Sequence, residues 1–174
     1  MKLRKLHSVT WNAGPFDFPT RKRLELALKG WQGTRYASGQ RCKGELADCI
    51  GFVFGAIDDI DGRPRAQAPA MPADIALHDP ETASAALLAL RSLYEPIVVV
   101  TDGQAQPFDI LVVGPAGGGP SHAMLVGPRP GTIWHCTPGA GVHQAGWCLG
   151  TGYEVLHGLY RIGDRQHWLG LGAF

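Results

Sequence analysis

The chain has 174 residues, 45% of them apolar and 18% charged, with sixteen Lys and Arg against fifteen Asp and Glu. That is globular composition, and a formal charge of +1 gives no electrostatic case for a nucleic-acid partner. The 24 glycines and 13 prolines predict many turns and short elements, which excludes a helical bundle or coiled coil.

The length suits a single core, so one domain is expected over 1–174. No window approaches ~18 uninterrupted apolar residues, so no membrane span is expected. The opening MKLRKLHSVTWN is basic but lacks an apolar stretch, and no signal peptide is read from it. The cysteines stand at 42, 49, 136 and 148 without a CxxC pair. Neither a zinc knuckle nor a dithiol redox site follows, and a disulfide framework is not expected.

Leu24, Ala27, Leu28 and Trp31 fall at offsets 0, 3, 4 and 7, which predicts an amphipathic helix over 21–31. The polar, turn-rich stretch 33–47 reads as a loop. Ile50, Val53, Phe54 and Ile57 repeat the same offsets, so a second, more buried helix starts near Asp48, a favoured N-cap residue. Residues 58–80 read as an irregular surface excursion, and 81–94 as a third helix that closes before Pro96. The remainder reads as short strands: 97–101, 108–113, 122–126, 133–136, 153–156 and 159–162. Helices first and strands after give an α+β domain, with the N-terminal helices packed on an antiparallel sheet of about five or six strands.

Cys49 follows the cap and sits in the first turn of the second helix. Free backbone N–H groups and the positive end of the helix dipole favour a thiolate there, as a nucleophile requires. The plainer reading is a buried structural cysteine, since free Cys is among the most buried residue types. His122 and His135 flank the GPRPG turn at 127–131. A hairpin centred on that turn pairs residues whose numbers sum to about 257, which makes the two imidazoles cross-strand neighbours on one face. A base with a second polar residue to orient it is the logic of a Cys-His-X triad. A lone histidine is more often a surface or satisfied core residue; the paired placement is what lifts these two.

The segments GTRY (33–36), ADCIGFV (47–53), FDILVV (108–113), SHAMLVG (121–127) and IWHCTPGAGV (133–142) occur in this order. They resemble the NlpC-type cell-wall peptidases, papain-like cysteine hydrolases with a Gly-x-x-Tyr segment, an Asp-Cys-Ser-Gly-Phe motif, a Gly-Asp-Leu strand, a His-Val-Gly-Ile strand and an Ile-His-Ala strand. The resemblance covers 33–142, and its spacing is most similar to the branch encoded in phage and gene-transfer-agent tail modules. It implies a papain-like fold with Cys49 as nucleophile, His122 as base and His135 as the residue that orients the base. It places Tyr36, and with it Asp48, on the oxyanion and substrate side, Asp48 also being a candidate for no more than the helix cap. It implies no metal and no cofactor, a peptidoglycan stem peptide as substrate, and phage tail proteins as partners. The expected location is cytoplasmic during assembly or on the virion tail.

The sequence departs from the family pattern at Ile50 in place of serine, Phe108 in place of glycine, and Ala123-Met124 in place of Val-Gly. Two alternatives stay open: a catalytically quiet structural tail component of the same fold, and a same-fold hydrolase or acyltransferase acting on a lipid or another amide. A zinc site built from Cys42 or Cys148 with His143 lacks ligand spacing. GPAGGGP lacks the GK[ST] of a phosphate loop. Lys and Arg at 2–5 and 21–23 read as a solvated face, and Trp31, Trp134, Trp147 and Trp168 as core.

Overall fold

The structure, a computed structural model, describes residues 4–5, 9–61, 97–100, 102–115, 117, 120–147 and 155–162. The third helix expected over 81–94, most of the excursion at 58–80, Cys148 and Trp168 lie outside the described residues.

Two short strands, β1 (Arg4–Lys5) and β2 (Thr10–Trp11), precede the first helix, α1 (Phe18–Lys29). This helix begins three residues before the expected start because Asp17 caps it, its Oδ1 accepting from the Thr20 N–H at 2.9 Å, with Pro19 in the first turn. Its buried stripe is Thr20, Leu24 and Leu28. The stretch read as a loop contains three two-residue strands, β3 (Arg35–Tyr36), β4 (Arg41–Cys42) and β5 (Leu46–Ala47), joined as a small sheet with β5 in the middle.

The second helix, α2 (Cys49–Asp61), is buried on every side from Cys49 to Ile57. A helix apolar all round belongs in a core, and α2 packs against α1, β4, β5 and two strands of the main sheet. Beyond it come β6 (Ile97–Val99), β7 (Gln104–Ala105), β8 (Ile110–Gly114), β9 (His122–Val126), β10 (Thr132–Thr137), β11 (Gly141–Gly146) and β12 (Val155–Ile162). The main sheet runs β1-β12-β8-β9-β10-β11, with β6 on the same strand as β1, and every pairing in it is antiparallel. The chain is thus α+β with helices on an antiparallel sheet. Its five longer strands, β8 to β12, form the expected antiparallel sheet, and the short β1 and β6 are added along β12.

The two strands expected at 153–156 and 159–162 are one, β12, interrupted by a register shift between Leu156 and Gly158. β7 pairs in parallel with β2, outside the main sheet. Side chains alternate between two cores. Ile110, Val112, Ala123, Leu125, Trp134 and Cys136 face the helices, while Leu111, Val113, Met124, Val126 and Ile133 join Val9, Leu156 and Leu159 on the other side. No described helix is long and apolar enough to cross a membrane.

Candidate active site

Asp48 and the residues after it set the position of Cys49. The Asp48 carboxylate accepts from the Gly51 N–H through Oδ1 and from the Gly39 N–H through Oδ2, each at 2.6 Å. The first bond caps α2 and the second ties the preceding loop to it. Gly51 is required by close approach, since a Cβ there would lie 2.0 Å from the Gln40 carbonyl oxygen. Burial pushes the Asp48 carboxyl above its ordinary range, against the pull of its backbone donors.

Cys49 is 9% exposed. The Ala123 and Ile50 backbone N–H groups favour its thiolate, while Asp48 and Cys136 oppose it. Burial outweighs all of these and pushes the thiol up from 9.0 to about 12. The thiolate expected from the helix dipole is therefore not the resting form; desolvation decides. Cys136 is buried too, with its thiol donating to the Ala47 carbonyl at 3.2 Å, and desolvation likewise raises it to about 12. It faces the helix-side core, as alternation from His135 predicts. Cys42 is exposed.

The hairpin register differs from the expected one. Ile133 pairs with Val126 and Trp134 with Leu125, a sum of 259 rather than 257. The turn is Pro128 to Gly131, closed by the Gly127 N–H on the Thr132 carbonyl at 2.8 Å. A shift of two leaves every side chain on its face, so His122 and His135 become diagonal neighbours. Their rings still meet, with His122 Nε2 2.9 Å from His135 Nδ1.

A third ring continues the series. His143 on β11 lies directly opposite His135, with 3.0 Å between the two Nε2 atoms. Its Nδ1 lies 3.0 Å from the Gly141 carbonyl oxygen. From sequence His143 stands only as a possible zinc ligand. The signal that finds it is the TPGAG turn, which pairs Thr137 with Gly141 and hence 135 with 143. The two contacts use opposite nitrogens of His135, so one ion cannot touch all three rings at zinc–nitrogen distances of ~2.0–2.1 Å. No group of three or more potential ligands is arranged for a metal among the described residues.

Burial lowers His122 to about 3 and His135 to about 4, with neighbouring rings adding to the effect. Both are neutral imidazoles at pH 7. Tyr36 is 37% exposed and pairs with Ala47, two residues before Cys49. With Arg35, Pro138, Gly139, Ala140 and Gly141 it lines an open hollow of about 320 Å³. The structure thus links His122, His135 and His143 in one chain. It sets Cys49 beside the first peptide of the strand that His122 begins, and pairs Tyr36 with Ala47, two residues before Cys49.

No family model and no curated protein matches the chain. Among solved structures it is similar to the NlpC/p60 domain of the peptidoglycan hydrolase SagA. That alignment has a TM-score of 0.47 and 19% identity, and covers 78% of this chain and 97% of the other.

Proposed function

We propose that the chain is a papain-like cysteine hydrolase that cuts peptide-stem amide bonds of bacterial peptidoglycan, in the setting of a phage-type tail. The observation that carries this reading is the bonded His122–His135 pair at the start of β9, whose next residue, Ala123, turns its N–H toward Cys49. The cell-wall substrate and the tail setting are supported by the motif resemblance over 33–142.

Thiol and imidazole are both neutral at rest, so proton transfer accompanies attack. His122 Nδ1 takes the Cys49 proton as the sulfur bonds to the amide carbonyl carbon. Backbone N–H groups at the start of α2, with Tyr36 beside them, receive the charge on the carbonyl oxygen. Asp48 sets that helix start. The tetrahedral species collapses as the C–N bond breaks and His122 gives its proton to the leaving amine. Water then attacks the thioester as His122 takes a proton from it, and as the C–S bond breaks His122 returns that proton to the sulfur, which restores the thiol. His135 holds the His122 ring in place throughout.

Incubation of the purified chain with cell-wall sacculi tests the reading. The expected result is release of soluble muropeptides with newly exposed stem-peptide termini, identified by mass spectrometry, and no release by Cys49→Ala. One observation favours a second reading. The burial of Cys49 suits a quiet structural component of the same fold, and wild-type protein that releases nothing selects it.

A further inference from the structure

A backbone carbonyl has no proton, so in the contact with Gly141 it is His143 Nδ1–H that donates. An imidazole that carries a single proton and donates it from Nδ1 has only a lone pair at Nε2. The bond to His135 is then donated by His135 Nε2–H, which leaves a lone pair on His135 Nδ1. His122 Nε2–H must fill that one, and the lone pair of His122 falls on Nδ1. One carbonyl oxygen thus sets the direction of three hydrogen bonds in series.

The anchor is itself fixed. Gly141 has φ +66°, and a Cβ on it would lie 2.3 Å from the Thr34 carbonyl oxygen. The Val142 N–H donates to that oxygen at 2.8 Å, and the Gly33 N–H to the Val142 carbonyl at 2.9 Å. The Gly141–Val142 peptide is therefore held by the segment that leads into β3, with its carbonyl pointing the opposite way from the bonded N–H, toward His143. The direct register of His135 with His143 keeps their rings 4.4 Å apart between centroids.

We propose that His143 is a positioning residue, which transmits the orientation of the Gly141 carbonyl through His135 to His122 and fixes His122 with its proton on Nε2 and its lone pair on Nδ1. The proposal deepens the hydrolase reading and rests on it for its kinetic consequence. The tautomers themselves can be read without activity. Reversal of any bond in the series would put the His122 proton on Nδ1, where it could not serve as base toward Cys49.

The test uses the full chain labelled with ¹⁵N-histidine at pH 7, with ring tautomers read from long-range ¹H–¹⁵N spectra. The expected wild-type pattern is a proton on Nδ1 of His143 and on Nε2 of both His135 and His122. His143→Leu removes the acceptor. His135 and His122 should then show mixed tautomers, and kcat for muropeptide release should fall by ~10-fold or more with KM little changed. His143→Gln offers an amide oxygen to His135 and should recover most of both. A wild-type His143 protonated on Nε2, or a His122 tautomer unaltered by His143→Leu, overturns the proposal. The wild-type pattern in a protein that digests no sacculi removes the hydrolase reading but leaves the relay standing.

Discussion

At Cys49 two influences oppose each other, and their sizes decide the outcome. A helix N-terminus is worth ~0.3–1 kcal/mol to a nearby negative charge and up to ~2 in favourable sites, or about one pKa unit. Burial moves the thiol from 9.0 to about 12. Among the described cysteines alkylation should therefore reach exposed Cys42 first, while labelling of Cys49 and Cys136 climbs about tenfold per pH unit between 7 and 10, as the thiolate fraction does. Peptide mapping after timed iodoacetamide treatment measures this, and rapid labelling of Cys49 at pH 6 would refute it. Phe108 offers a second contest. Its φ of +63° is a conformation that costs a non-glycine residue ~1–2 kcal/mol. The resembling family has glycine there. Yet the Phe108 ring is wholly buried in the helix-side core, and loss of such a ring costs ~3–5 kcal/mol. Burial is the larger quantity, so Phe108→Gly should destabilise by ~1–4 kcal/mol in urea unfolding despite a relaxed backbone.

Elements with a strong internal period were readable from sequence, and those set by distant partners were not. The offsets of Ile50, Val53, Phe54 and Ile57 reveal α2 and its Asp48 cap because each faces a packed surface. The strand β11, GVHQAG, escaped notice. Its apolar content is low, and its position is fixed by the ladder with β10 rather than by its own composition. The short strands of 33–47 arise the same way, from pairing around β5. In the candidate site, a hairpin centred on the GPRPG turn, together with strand alternation, put His122 and His135 on one face. The contribution of His143 needed a third strand, and the raised thiol of Cys49 needed the burial that only the fold supplies. The start of α2 is sensitive to a single atom. Gly51→Ala would push a methyl into the Gln40 carbonyl, which cannot move without disturbing its bond from the Asp48 N–H at 3.1 Å. Overpacking of this kind costs ~1–3 kcal/mol. Thermal unfolding should show a lowered Tm, and sacculus digestion should fall further than stability alone explains, because the helix start that carries Cys49 shifts with it.

Among the described residues, the same buried groups make stability depend on pH. His122 and His135 bind protons more weakly folded than unfolded, with values near 3 and 4 against 6.5. Between those values the unfolded chain holds more protons, so stability is full above pH 6.5 and is lost as pH falls toward 3. Cys49 and Cys136 run the other way. Raised from 9.0 to about 12, they favour the fold below pH 9 and withdraw that support as pH rises. The plateau should lie between about pH 6.5 and 9. Each histidine would contribute on the order of a few kcal/mol to the acid limb. The ion pair of buried Asp109 with half-buried Arg161 joins β12 to the residue just before β8, with contacts of 2.7 and 3.0 Å. It supplies a control that acts at neutral pH: Arg161→Met would leave the buried carboxylate held by the Gln106 N–H at 2.8 Å but without its guanidinium, and cost ~1.5–3 kcal/mol. Urea midpoints from pH 4 to 10 separate the two effects. Arg161→Met should lower the plateau itself, whereas a His122→Gln, His135→Gln double variant should flatten the acid limb. An acid limb unchanged in the double variant would mean that carboxylates elsewhere, not the histidine chain, govern acid unfolding.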